Sequence, residues 1–349
     1  MKDARIMLLF RTVRKTAPAT SSLSTMDRLL LTLAIIFASL IAGYAFQQWV
    51  RSGRSSLNED SMRALRLRIQ KGAMFGLIPL SAMLSLWGLP SPDARLLALP
   101  VLGVAAWICG GVLALILSRT MGLDRKQTGS MYCCGTFTNI GAVGSLVSVM
   151  FFGEQTIAIA ALYRLCEEIY YFGVAMPVAR WHGQPEGGKA HFSLRDFRLE
   201  PVLKVILCAL GLGICLNLAG VPRPELLGTL SSASMILGTV CFLLSIGMSL
   251  RISRMACYAR QSAAISLIKF VGCPLLIVSL AMLCGLGEIE NGLPLKVVAI
   301  LASMPVAMNA LIPPSLFDLD LDLANACWVF TTIELVVVLP ILVIVLPLL

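Results

Sequence analysis

The sequence predicts an all-α integral membrane protein of ten transmembrane helices, and three observations carry that reading. Hydrophobic residues make up 58% of the 349 positions and charged residues 13%. Mean hydropathy is +0.85, far from the mix of an ordinary soluble domain. Apolar stretches also follow one another along the whole chain, and crossing the hydrocarbon core takes about 20 mostly apolar residues.

The apolar runs fall at 29–49, 73–89, 95–118, 128–152, 155–179, 201–220, 229–250, 262–285, 295–317 and 323–348. The long polar gap at 181–200, with Gly187 and Gly188, splits them into two sets of five. The expected organisation is therefore an N-terminal extension (1–25), a first five-helix repeat (26–180), a cytoplasmic linker (181–200) and a second five-helix repeat (201–349). Lys and Arg crowd the gaps after the first, third, fifth and seventh runs, whereas the opposite ends hold only Arg95, Arg223 and Lys296. The positive-inside tendency puts the crowded gaps in the cytoplasm of a plasma-membrane protein and both termini outside. An odd number of helices per half then makes the repeats inverted. Phe151-Phe152-Gly153 and Leu316-Phe317-Asp318, about half the chain apart, give a weak echo of such a repeat.

Lys2, Arg5, Arg11, Arg14, Lys15 and Arg28 oppose this orientation. A translation start at Met26 is the favoured expectation over a basic targeting segment, because no apolar secretory core follows Lys15.

A net charge of +9 suggests nucleic acid in a soluble protein. Here the basic residues sit where membrane topology uses them, so no nucleic-acid partner is expected. The 11 cysteines form no C-x-x-C pair and, Cys133-Cys134 apart, are scattered singly, as packed or lipid-facing thiols are. His182 and His191 share one loop without a Cys partner, so neither a metal nor another cofactor is expected. No nucleotide-binding loop occurs, and the apolar runs hold no His or Asp for intramembrane proteolysis; the chain reads as a non-enzyme.

Two runs are interrupted. The fourth reads Gly135-Thr136-Phe137-Thr138-Asn139-Ile140-Gly141-Ala142-Val143-Gly144, a polar, glycine-rich cluster in mid-span. Non-helical backbone at membrane depth survives only where protein or a wet cavity satisfies it. The ninth reads Ser303-Met304-Pro305-Val306-Ala307-Met308-Asn309-Ala310-Leu311-Ile312-Pro313-Pro314, and three prolines rule out a continuous helix. Pro305 is expected to free carbonyl oxygens for a cation or proton donor, and the half-helix N-termini offer N–H groups to an anion. Close helix packing around small residues and a simple proline kink are the structural alternatives.

Thr138-Asn139-Ile140-Gly141 with Gly144 resembles the Asn-x-Gly motif in the fourth helix of the auxin efflux carrier family, and Met304-Pro305 with Asn309 resembles its ninth. Ten spans, external termini, a polar loop after the fifth span and Pro79 agree over residues 26–349. The resemblance implies a fold like that of the sodium/proton antiporter and bile-acid symporter superfamily, with helices 4 and 9 broken and crossed. It implies a scaffold of helices one, two, six and seven, often a homodimer, and a moving transport domain of the others. It also implies substrates such as malate, malonate or, in plant PIN-FORMED members, auxin. Pro313-Pro314 and the acidic Asp318, Asp320 and Asp322 depart from the pattern.

Charges inside apolar runs are costly, about +2.5 to +3.5 kcal/mol each at a helix centre. Arg164, Glu167 and Glu168 in the fifth run, Lys269 in the eighth and Glu334 in the tenth are therefore candidates for coupling to H+ or Na+, or for static pairs. Arg164 reaches Glu167 at i, i+3 or Glu168 at i, i+4, and Lys269 is a candidate partner for Glu334. The leading expectation is a secondary transporter of a small organic anion, a carboxylate, bound by Thr138, Asn139, Gly141, Pro305 and Asn309 in the bilayer. A non-transporting sensor or a channel is the alternative.

Overall fold

A computed structural model describes residues 24–52, 58–89, 93–184, 201–248, 250 and 255–349. The basic residues of the N-terminal extension up to Lys15, His191, Gly187 and Gly188 lie outside the described residues. The described chain is all-helical, with one isolated antiparallel bridge, between Thr138 and Val306.

Helix α1 (Thr25–Arg51) starts at a capping box in which Ser24 and Asp27 satisfy each other's backbone N–H. Next come α2 (Glu59–Trp87) and α3 (Ala94–Thr120). The fourth apolar run becomes α4 (Arg125–Thr136), capped by Asp124, and α5 (Ile140–Phe152). The fifth becomes α6 (Gln155–Tyr163) and α7 (167–183), separated by a turn at 164–166. Then follow α8 (Pro201–Leu218), α9 (Glu225–Gly247) and α10 (Ala259–Leu283). The ninth run becomes α11 (Leu293–Ala302) and α12 (Ile312–Leu316), and the tenth α13 (Leu321–Ile333) and α14 (Leu335–Val345).

Five of these helices, α1, α2, α3, α9 and α10, are individually long and apolar enough to cross a membrane. A sixth qualifies if α13 and the segment after it, bent by 47°, count as one span. The expected ten is not reached as single helices because the fourth, fifth, ninth and tenth runs are broken and the sixth counts only as a shorter apolar helix, Lys204–Leu218. A 12-residue piece such as α4 rises only about 18 Å, roughly half the hydrocarbon thickness.

The helices sort into two packing groups. Helices α1, α2, α8 and α9 pack on one another, while α3 to α7 pack with α10 to α13, and α14 touches both α13 and α1. Within the first group Gly43 and Gly247 bring α1 and α9 into backbone contact, since a Cβ on either would fall 2.2 or 2.3 Å from a carbonyl of the facing helix. The α5–α6 junction joins the groups: Arg28 donates to the Phe151 carbonyl at 3.1 Å, Ser85 to the Glu154 carbonyl at 3.0 Å, and Arg223 pairs with the Glu154 carboxylate.

The acidic residues that fitted no pattern have structural tasks. Asp320 caps α13 by accepting the Leu323 N–H, and also accepts the Tyr258 hydroxyl. Asp318 sits at φ +54° and pairs with Lys126. Pro313 and Pro314 occupy the first turn of α12, where their missing N–H groups cost least, so the break of the ninth run is confined to its Pro305 region.

Candidate functional site

The two breaks lie against each other. Thr138 and Val306 form the antiparallel bridge; the Asn139 N–H donates to the Pro305 carbonyl at 2.8 Å and the Ala307 N–H to the Phe137 carbonyl at 3.0 Å. Each extended segment thus supplies the hydrogen bonds that the other lost by leaving its helix.

The local sequence explains the first turn. Asn139 stands at φ −75° and ψ 63° while Ile140 N–H donates to the Thr138 carbonyl at 2.8 Å, an inverse γ-turn. The Asn139 side-chain oxygen then accepts the Val143 N–H at 3.4 Å, and its backbone carbonyl accepts that of Gly144 at 2.9 Å. The N–H groups of Gly141 and Ala142 have no acceptor among the described residues. Such orphan donors at a helix start favour negative charge.

The fifth run supplies the charge. Arg164 Nε lies 2.8 Å from Glu167 Oε2, so a pair forms at i, i+3. Glu167 Oε1 accepts from Asn309 Nδ2 at 3.1 Å, which ties the pair to the second break. The arginine also packs on the first break: a Cβ at residue 141 would fall 2.1 Å from Arg164 Nη1, so the glycine makes room for the guanidinium. Gly141, Arg164, Glu167 and Asn309 therefore make one chain of contacts across both breaks. Glu167 is buried, whereas the Arg164 side chain keeps 23% exposure.

Lys269 does not pair with Glu334. Its ammonium is fully buried and donates to the Gly135 carbonyl at 2.7 Å and to Thr138 Oγ1 at 2.8 Å, while the Glu334 carboxylate accepts from Ser266. Sequence spacing cannot rank such contacts because α10 and the α13–α14 junction are far apart along the chain. Of the candidates, Thr138, Asn139, Gly141, Arg164, Glu167, Lys269, Pro305 and Asn309 gather at the paired breaks. Glu334 belongs to a separate contact, with Ser266.

Two participants escaped the sequence reading. Tyr171 packs against Phe137 with tilted rings, centroids 4.9 Å apart, and donates its hydroxyl to the Asn309 carbonyl at 3.3 Å. Thr331 accepts the Val306 N–H at 3.2 Å, deep in the second break. Neither lies in the two runs whose interruption the sequence shows, so only their polarity in apolar surroundings signalled them. Replacing Thr331 with Val removes the acceptor of a buried N–H, and a melting measurement should find the protein destabilised by about 1 to 3 kcal/mol.

Residues 189–343 match the family model described as membrane transport protein. An uncharacterized transporter of Methanothermobacter thermautotrophicus is 26% identical over 248 residues, covering 70% of this chain and 77% of that protein. With the apolar helices described above, these matches support a multi-pass membrane protein that is similar to membrane transporters.

Proposed function

We propose that this protein is a secondary carrier for a small organic anion, and that the paired breaks hold the substrate carboxylate. The observation that carries the reading is the partly exposed Arg164 guanidinium, anchored by Glu167 and resting on Gly141 beside the orphan N–H groups of Gly141 and Ala142. A guanidinium presents parallel donors that match a carboxylate, and backbone N–H groups at a helix start add to them. Binding is noncovalent and the chain is not an enzyme.

In this reading the ten apolar runs are ten spans in two inverted sets of five, both termini are external, and the broken helices cross at Thr138 and Val306. Supporting it, both short half-helices end at a positive φ, Gly153 at +85° and Asp318 at +54°, at the two places where the sequence hinted at a repeat. The packing groups suit a scaffold (α1, α2, α8, α9) and a moving domain that carries both breaks. Alternating access would then slide the second group along the first, remaking the contacts at Phe151 and Glu154.

Uptake of radiolabelled malate, malonate and indole-3-acetate into proteoliposomes tests the carrier. Accumulation of at least one by the wild type, lost in Asn139→Ala and Asn309→Ala, is the expected result. Saturable binding without flux would sink the carrier and favour a receptor. A proton role for Glu167 or Glu168 requires that changing one of them to Gln abolishes the pH dependence of uptake; unchanged profiles in both would make them static.

A further inference from the structure

We infer that the Lys269 ammonium is the resident cation of the paired breaks, so that the protein binds its anion without sodium. The inference rests on the anion reading above. A bound anion at membrane depth needs a compensating positive charge, and a sodium-coupled carrier takes that charge from solution. Here it is covalently attached.

The geometry is specific. Lys269 lies in a widened turn of α10 (Ile268–Gly272) and is 0% exposed, one of the largest fully buried side chains among the described residues. Its ammonium donates to the last-turn carbonyl of Gly135 and to the hydroxyl of Thr138, the residue whose backbone bridges to Val306. A carbonyl and a hydroxyl at an unwound helix end are the oxygen donors that a small monovalent cation takes. The side chain fills that place instead.

The surrounding charges leave it uncompensated. Arg164 and Glu167 neutralise each other, Glu334 gives its carboxylate to Ser266, and no carboxylate among the described residues lies within ion-pair distance of Lys269. The paired breaks therefore carry a fixed positive charge ready for an anion, and sodium at the same oxygens would have to displace a tethered ammonium.

Sodium binding to the purified, substrate-free protein tests this apart from any transport. The wild type should show no saturable binding of 22Na+, and equal melting midpoints in sodium chloride and in choline chloride of the same concentration. Lys269→Ala leaves the Gly135 and Thr138 oxygens facing a hole, so its midpoint should be lower. Ethylammonium or sodium, but not the bulkier choline, should restore about 3 °C at saturation. Adding Thr138→Val should abolish the rescue. Saturable sodium binding or a sodium-dependent midpoint in the wild type overturns the inference, as does a Lys269→Ala protein indifferent to both small cations. The wild-type measurement decides even if the variant fails to fold. Carboxylate binding that persists without sodium supports it, whereas a protein that binds no carboxylate at all refutes the anion reading and leaves the sodium result to stand by itself.

Discussion

Arg164→Ala should abolish anion transport and also destabilise the protein by about 3 to 5 kcal/mol, because it leaves the buried Glu167 carboxylate without its counter-charge. Stability and binding separate in a second variant. Arg164→Gln with Glu167→Gln removes both charges and leaves Asn309 an amide oxygen to bond, so most of the stability should return. Transport should not return, since an amide lacks the charge-assisted donors; one such bond lost weakens anion affinity roughly 100-fold. If the double variant transported normally, the pair would be a structural tie between α7 and the second break and nothing more.

Gly110→Ala is the second substitution with a large expected effect. A Cβ there would lie 2.0 Å from the carbonyl oxygen of Gly135, a backbone atom that cannot swing aside, and 3.4 Å from the Cys273 sulfur. The added methyl must push α3 away from the end of α4, where the Gly135 carbonyl also holds Lys269. A loss of about 3 kcal/mol in melting experiments is expected, the upper part of the usual range for overpacking. Gly211→Ala is the matched control. Nothing lies within 4 Å of its Cβ position in α8, so this change should be neutral or stabilise by up to about 1 kcal/mol through helix propensity.

Much of this was legible in the sequence, for physical reasons that particular residues make plain. Hydropathy located the helical regions because water-to-lipid transfer acts on whole runs and needs no knowledge of neighbours. The breaks at Asn139 and Pro305 were legible because glycine, proline and an amide in mid-span contradict a simple helix. The Arg164–Glu167 pair was legible as a local i, i+3 spacing. What stayed hidden depends on distant segments meeting. Lys269 looked like a partner for Glu334 because charge alone pairs them, yet α10 turns its ammonium toward the Gly135 carbonyl and gives Ser266 to Glu334. Asp320 fitted no motif and is a helix cap, since capping acts through a backbone N–H that composition does not reveal. Thr331 was one polar residue in an apolar helix until Val306 came to rest on it.

The most direct test of the anion site is the binding of small carboxylates to the purified protein, followed as a shift in melting midpoint across a panel of mono- and dicarboxylates. The account predicts that at least one carboxylate stabilises the wild type by several degrees at saturation and leaves the Arg164→Gln, Glu167→Gln variant unmoved. Equal stabilisation of both proteins, or none of the wild type by any carboxylate, would contradict it.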